Sequence, residues 1–239
     1  MKINKKLVVK YLFEIKFNPL PSFLDKRGSA AEQFLDTLFD SWRIDKNRID
    51  LVSSSNKKVA CFVSYRNFGF VSETPNTKDF FIDKSTDFIK KVWNIIPPNR
   101  YLRFGVRTTE YIPSKITFQK LVNSYKNNFL KLSDSQIKSL KGKLEDVSFP
   151  LDFADEKDKN IKFSFNTAPM EKRQAKQFFS DESLLAEQGI FIDSDYFNES
   201  LISKNIKQKD YLGFLKEGVE KAEFIRKAVQ KILKNGGKK

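Results

Sequence analysis

The first 113 residues alternate between two periodicities, and this order limits the folds open to the chain more than any other feature. Apolar residues recur at every second position in strand-like runs and at every third or fourth position in helix-like runs. The runs are a strand at 7–17, a helix at 29–42, strands at 48–53 and 58–72, a helix at 77–94 and a strand at 101–109. This is the order of a ferredoxin-like unit. We therefore predict an α+β fold with a ferredoxin-like βαββαβ half at residues 1–113.

The second half, residues 114–239, has a less regular pattern. The pattern indicates a helix at 117–132, a hairpin at 147–165, a strand at 189–197, a long helix at 210–235 and a frayed tail at 236–239. The hairpin is indicated by two alternating runs on either side of a charged loop. We predict a second α+β half with this hairpin, strand and C-terminal helix, packed on the first half. The pattern leaves open whether its strands extend the first sheet or form a separate lobe.

The composition is that of a globular protein with an excess of positive charge. The chain has 239 residues, of which 40% are hydrophobic, and its formal net charge is +14. Such a charge favours association with polyanions. Lysine-rich and asparagine-rich sequences also arise from AT-rich genomes, however, so the charge alone does not identify nucleic acid as the partner.

The sequence predicts a cytoplasmic protein with no membrane partner. The single cysteine, Cys61, cannot form an internal disulfide, which fits a reducing compartment. Lys10, Glu14 and Lys16 interrupt the apolar residues near the start, so no signal peptide is predicted. No apolar run is long enough to span a bilayer.

The absence of histidine restricts the chemistry open to the chain. It removes the commonest general base, the commonest metal ligand and any Ser-His or Cys-His dyad. No P-loop, dinucleotide-binding glycine pattern or nucleophile elbow occurs either. We therefore predict no catalytic residue, no bound metal and no cofactor. Catalysis without histidine is chemically feasible, so the sequence leans against an enzyme without deciding the question.

Arg103 and Arg107 share one face of the strand at 101–109. A buried guanidinium is costly unless it meets an anion. Asp193 and Asp195 share one face of a later strand, and a guanidinium can bind a carboxylate through two hydrogen bonds. We predict that these four residues form structural ion pairs that tie the two halves together. The alternative is a metal-dependent phosphodiesterase in which the two aspartates hold Mg²⁺ or Mn²⁺, which requires a further carboxylate.

Residues 66–71 read Arg-Asn-Phe-Gly-Phe-Val and resemble the core of the RNA-recognition-motif signature. On a strand, Arg66, Phe68 and Phe70 share a face, where the rings can stack on bases and the guanidinium can bind a phosphate. Asn67 stands where the signature has glycine. The alternative is that these phenylalanines pack beneath the second half of the chain.

Lysines are frequent in the last third of the chain, and Lys227, Lys231 and Lys234 lie on the polar side of the last helix. One interpretation is a solvated helix face whose lysines suit the negative end of the helix dipole. The other is a patch that follows a nucleic-acid backbone. We predict that these lysines, together with Arg66, Phe68 and Phe70, bind nucleic acid.

Three short motifs occur in a set order, namely Phe-Asn-Pro-Leu at 17–20, Arg-Phe-Gly-Val-Arg at 103–107 and Phe-Ile-Asp-Ser-Asp-Tyr-Phe at 191–197. In this order the chain resembles a sporadically distributed prokaryotic family of uncharacterised proteins of about this length. The resemblance implies an α+β fold and an intracellular function, and it associates the arginine strand with the aspartate strand. It implies no activity, and it weakens the RNA-recognition interpretation because it accounts for most of the chain. The chain departs from the family at Thr108, where the family favours tyrosine, and in placing its first strand before Asn18.

The leading functional prediction is a non-catalytic protein that binds nucleic acid, either RNA or a single strand, through a basic surface. Its partners are then nucleic acid and, in a second hypothesis, another protein, with the chain acting as a structural or regulatory subunit of a prokaryotic complex. The metal-dependent phosphodiesterase is the third hypothesis.

Overall fold

The computed structural model describes residues 6–98, 100–199 and 208–235. The tail predicted at 236–239 lies outside the described residues. Within the described part, nine strands form one sheet: β1 (Val8–Phe17), β2 (Ser41–Asp45), β3 (Arg48–Val52), β4 (Val59–Ser64), β5 (Asn67–Glu73), β6 (Tyr101–Pro113), β7 (Phe149–Ala154), β8 (Ile161–Glu171) and β9 (Gln188–Asn198). Their order is β2-β3-β4-β5-β1-β6-β9-β8-β7. Every neighbouring pair is antiparallel.

The helices of the described part are α1 (Ser22–Phe34), α2 (Lys78–Ile95), α3 (Phe118–Tyr125), α4 (Asp134–Ser139), α5 (Lys172–Ala175) and α6 (Gln208–Asn235). A π-helical turn at Lys126–Leu130 continues α3. The α2 helix begins where the Thr77 side chain accepts the backbone N–H of Phe80, a hydrogen bond that satisfies a donor with no partner inside the helix. The protein is therefore a mixed α+β structure built on a large antiparallel sheet.

One face of the sheet, which we call the helix face, is covered by α1, α2, α3 and α6. Alternate residues of β1, from Val9 to Phe17, are buried there. The ring of Phe68 on β5 meets Phe13 edge-on at 6.1 Å and Phe88 of α2 at 6.2 Å. The opposite side, which we call the open face, is covered only at one end by a small cluster that includes Ala175 and Phe179.

The long helix α6 docks on β6 and β9 at the junction of the two halves. Gly218 permits the close approach, because a Cβ at this position would lie 2.7 Å from Cβ of Val106. Next to this contact Arg226 donates a hydrogen bond to Glu110 of β6, whose side chain is 2% exposed. Since β6 also pairs with β9, the strands of residues 1–113 and 114–239 belong to one continuous sheet.

The helix predicted at 29–42 is wrong in its bounds, because α1 begins and ends earlier and Trp42 lies in β2. The chain leaves the helix at Leu35, which is extended at φ −61° and ψ 142°. Oδ1 of Asp36 then accepts the backbone N–H groups of Leu38 and Phe39 at 2.8 and 2.9 Å. This local hydrogen bonding competes with helix and ends it.

The single strand predicted at 58–72 is wrong as well, because the chain reverses between β4 and β5. The hydroxyl of Ser64 accepts the backbone N–H groups of Arg66 and Asn67 at 3.2 and 3.1 Å and so stabilises the turn. The first half consequently has two hairpins, β2–β3 and β4–β5, between its helices. A search of the described helices finds none that is both long and apolar enough to cross a lipid bilayer.

Candidate functional site

The arginine and aspartate strands of the sequence analysis are neighbours in the sheet. In the β6–β9 pair Arg107 lies opposite Asp195, and Thr109 lies opposite Asp193. Each arginine reaches diagonally across the open face to an aspartate. Nη2 of Arg103 donates to Oδ2 of Asp195 at 2.6 Å. Arg107 donates through Nε and Nη2 to both oxygens of Asp193, at 2.9 and 2.5 Å. We call these four charged residues the arginine–aspartate cluster.

Groups on three sides hold the guanidinium of Arg103. Its central carbon lies 4.6 Å from the ring centroid of Phe197, and its Nη1 lies 3.7 Å from Glu14. Gly105 leaves the space that the guanidinium occupies, because a Cβ there would lie 2.5 Å from Nη1 of Arg103. The Arg103 side chain is only 17% exposed. It is therefore surrounded by partners from its own chain and withdrawn from an external ligand.

The two aspartates are occupied by these arginines. Burial raises the pKa of Asp195, against the lowering effect of the Arg103 and Arg107 charges. The hydrogen bond to Asp193 raises the pKa of Arg107. Thr109 also donates a hydrogen bond to Oδ1 of Asp193 at 2.9 Å. Among the described residues no group of three or more acidic or cysteine side chains is placed to hold a metal ion. The cluster therefore presents guanidinium–carboxylate pairs and no free carboxylate group.

The remainder of the open face carries charges of both signs in close pairs. Lys10 lies 3.2 Å from Glu73, and Lys16 lies 3.6 Å from Glu14. The same holds at the β8 side, where Lys162 lies 3.1 Å from Glu199. Opposite charges at such distances cancel beyond a few ångströms. The open face is consequently a poor source of the positive field that the net charge implies.

The structure excludes base stacking by Phe68 and Phe70. Both rings are completely buried, at 0% exposure, on the helix face. Arg66 lies in the turn before β5, where its guanidinium carbon is 5.6 Å from the ring centroid of Tyr65. The alternation over residues 58–72 predicts one strand face for all three side chains, because the pattern runs unbroken through the turn at Tyr65 and Arg66. The prediction that these two phenylalanines bind nucleic acid is therefore wrong.

The lysines predicted on the last helix are exposed and lie together. Lys227, Lys231 and Lys234 follow one another at intervals of four and three residues, which places them on one side of α6. Residues 224–235 contain four basic residues and no acidic residue. The fourth, Arg226, pairs with buried Glu110.

A second basic segment lies beside this end of α6. Residues 115–143 contain seven lysines and one acidic residue, Asp134. Asp134 pairs with Lys126 at 2.7 Å, which leaves Lys131, Lys138, Lys141 and Lys143 exposed. Glu145 and Asp146 follow this segment in the sequence.

A shared apolar cluster joins the two segments. Leu130, Leu144 and Leu233 pack in the same cluster around Tyr125. Each of these leucines is adjacent in sequence to one of the lysines, so the lysines of both segments emerge at one end of the molecule. We call the set the lysine-rich end: Lys131, Lys138, Lys141, Lys143, Lys227, Lys231 and Lys234. In the part of the chain that the structure describes, none of the seven forms an ion pair.

An apolar groove of about 510 Å³ opens next to the lysine-rich end, between α6 and the β7–β8 hairpin. Phenylalanines from the π-helical turn, the hairpin and α6 line it, and we call it the aromatic groove. Phe224 of α6 is 67% exposed and Phe153 of β7 is 40% exposed, which is unusual for such large apolar side chains. Nζ of Lys221 lies 3.8 Å from the ring centroid of Phe163 within the groove.

Sequence reasoning found only the α6 part of this site. The lysines of residues 131–143 are not part of that prediction, although seven lysines against one acidic residue in 115–143 is a signal that charge counting can find. Phe224 was missed because it does not belong to the apolar stripe of α6. Its position on the polar side of that helix is the signal that marks it.

Comparisons of the chain with protein-family models, curated proteins and solved structures return no match. The fold and the surface of the chain itself therefore carry the functional argument.

Proposed function

We propose that the protein binds nucleic acid, without catalysis, through the lysine-rich end. The observation that carries this proposal is that seven exposed lysines from two separate segments meet there, and that none of them forms an ion pair among the described residues. Lysines that approach phosphates displace the condensed counterions of a nucleic acid, and this release drives binding. Unpaired lysines do this best, because an ion pair has to be broken before a lysine in it can bind phosphate.

Two lysines of this end have a backbone conformation that supports a functional role. Lys131 and Lys141 both have a φ of 54°, in the left-handed region where residues with a Cβ are strained. Each follows the end of a helical segment, a position where glycine is the usual residue. Strained positions persist where the surroundings or the function require the side chain. Lysine therefore supplies a positive charge at two positions where glycine would adopt the backbone conformation with less strain.

The test is an anisotropy titration of a labelled single-stranded oligonucleotide at salt concentrations from about 50 to about 200 mM. If all seven lysines contact phosphates, the logarithm of the binding constant falls with the logarithm of salt concentration with a slope of about −5, at ~0.7 per contact. Replacing Lys227, Lys231 and Lys234 with glutamine makes the slope shallower by about 2. No binding even at the lowest salt concentration would overturn the proposal.

A matched variant separates this surface from the net charge. Lys26, Lys46 and Lys57 are exposed on other parts of the described structure, so their replacement with glutamine removes the same charge. This variant should retain nearly the wild-type slope. An equal loss in both triple variants would show that the oligonucleotide responds only to total charge.

We infer in addition that β1, β4, β5 and β6 with α1 and α2 form a ferredoxin-like unit into which the β2–β3 hairpin is inserted. The support is the sheet order β4-β5-β1-β6, in which the strands joined through each helix are separated by one other strand. An experimental structure with a different order of these strands would contradict the inference. We also propose that the protein acts in the cytoplasm, where nucleic acid is present and where the free thiol of buried Cys61 is stable. Location of a tagged chain in another compartment would contradict this.

A further inference from the structure

The aromatic groove has the geometry of a stacking site. The ring of Phe153 lies nearly parallel to that of Phe163, with centroids 4.6 Å apart and planes inclined by 7°. The ring of Phe165 is also nearly parallel to that of Phe153, with centroids 6.1 Å apart and planes inclined by 9°. These three rings stack on one another on the hairpin, and Phe224 lies on the opposite rim of the groove. Phe153 at 40% and Phe224 at 67% exposure are the two of these rings that present most surface to solvent. Exposed aromatic rings beside an apolar groove accept planar groups by stacking.

Positive charges stand at the rim of the same groove. Lys227 and Lys231 follow Phe224 by three and seven residues, so the three side chains are neighbours on the surface of α6. Lys221 lies within the groove, against Phe163. An occupant that suits both features has planar apolar groups beside a chain of negative charges. A single-stranded nucleic acid has this chemistry, because its unpaired bases are free to stack while its phosphates remain at the surface.

We propose that the aromatic groove binds the unpaired bases of a single-stranded nucleic acid, with Phe153 and Phe224 as stacking residues. This inference rests on the proposed nucleic-acid binding at the lysine-rich end and adds a preference for single strands over duplexes. In a duplex the bases stack on one another, so their faces are not open to the groove and the lysines contact the phosphates. The lysines then bind either form, and the groove discriminates between them.

A second copy of the chain is the competing occupant. Glu217 and Glu220 precede Phe224, and Lys227 and Lys231 follow it, at alternating intervals of three and four residues. Two such helices that run antiparallel across Phe224 would place acidic residues opposite lysines. This pairing would cover Phe224 and engage the lysines that the nucleic acid requires. The test therefore has to distinguish a dimer from a complex with nucleic acid.

The test compares three probes of equal phosphate number with the wild-type protein at one salt concentration: an oligothymidine, the same strand without its bases, and a duplex. We expect the oligothymidine to bind about tenfold more tightly than the abasic strand for one stacked base, and more for two. Phe224→Ala should remove most of this difference while binding of the abasic strand stays unchanged. Because Phe224 is 67% exposed, this variant should keep the wild-type unfolding temperature, which is measured alongside.

Trp42→Ala is the matched control, since Trp42 is also a large aromatic residue with 45% exposure but lies on β2, at the opposite edge of the sheet. It should bind all three probes like the wild type. If none of the probes binds, the proposed function itself fails. If all three bind equally, nucleic-acid binding stands and the stacking inference fails. Sedimentation analysis tests for the second copy. If the wild type is a dimer, and Phe224→Ala dissociates it without changing the preference for the oligothymidine over the abasic strand, the inference is overturned in favour of a second copy.

Discussion

Replacing Lys131 with glycine should stabilise the protein and weaken its binding of nucleic acid. Lys131 ends the π-helical turn at φ 54° and ψ 30°, and its N–H donates to the carbonyl oxygen of Lys126 at 2.8 Å. The left-handed conformation costs a residue with a Cβ about 1–2 kcal/mol, and glycine avoids this cost. The greater freedom of glycine in the unfolded chain offsets about 0.5–1 kcal/mol of the gain. The net gain is about 0.5–1 kcal/mol, or about 2 °C in unfolding temperature.

Lys138 provides the matched comparison, because it lies inside α4 with helical backbone. Glycine at this position should destabilise the protein by up to about 1 kcal/mol. Both substitutions remove one charge from the lysine-rich end, so each should make the salt slope for single strands shallower by about 0.7. Chemical denaturation measures the change in stability, and the anisotropy titration measures the slope.

The two measurements together test the reasoning. We expect opposite signs for stability and the same sign for binding. If Lys131→Gly is less stable than the wild type, the argument from backbone strain is refuted. If binding follows stability in both variants, the lysines act through folding and make no contact with phosphate.

Three further predictions concern the framework. Gly218→Ala should destabilise the protein by about 1–3 kcal/mol, because the added Cβ clashes with the Val106 side chain of β6. Gly213→Ala should stabilise it by about 1 kcal/mol, because no atom lies within 4 Å of the added Cβ. Urea denaturation measures both changes. Asp195→Ala should lower the free energy of unfolding by about 2 kcal/mol, because the mostly buried Arg103 loses its carboxylate partner. The loss should be much smaller in a protein in which Arg103 is already replaced with methionine, and equal losses in both backgrounds would contradict the pairing. Burial raises the pKa of Glu110 from 4.5 to about 7, so the folded state binds this proton more tightly. Compared with Glu110→Gln, the wild type should therefore lose stability as the pH rises from about 4.5 to about 7, and a constant difference would refute the shift.

Much of the sheet was predictable because its signals are local. The alternation in β1, the Thr77 cap of α2 and the two apolar runs of the β7–β8 hairpin each lie within one short segment. The sharing of one face by Arg103 and Arg107 also follows from strand geometry alone. Predicting the ion pairs with the aspartates required one additional assumption, that buried side chains of opposite charge lie next to each other in the fold.

The turn between β4 and β5 was not predictable in the same way. Residues 64–67 contain no glycine or proline, and the alternating pattern of residues 58–72 continues through them without a break. The turn depends on the Ser64 hydroxyl, which accepts two backbone N–H groups. Serine does this in some contexts and lies within a strand in others. The error reversed the face assigned to Phe68 and Phe70, which is why a motif that resembles an RNA-binding signature is in fact part of the core.

The two glycines of α6 show why the structure was also required for single residues. Gly213 and Gly218 both weaken the helix by propensity, and the sequence treats them alike. In the structure Gly213 has open space around it, whereas Gly218 is where α6 meets Val106. Only the second has a packing reason to be glycine.

The same distinction between a residue type and its surroundings applies to the basic residues of the chain. The arginine strand is the most conspicuous basic feature of the sequence, yet Arg103 and Arg107 each have an aspartate within hydrogen-bond distance. Their charge is neutralised inside the protein and contributes little to the field outside it. The net charge of +14 is then expressed in part where exposed basic residues form no ion pair. In the described structure this occurs where residues 131–143 meet the end of α6, because the apolar cluster around Tyr125 brings together two lysine-rich segments that are far apart in sequence. The proposed attraction for nucleic acid is therefore assigned to this end of the fold.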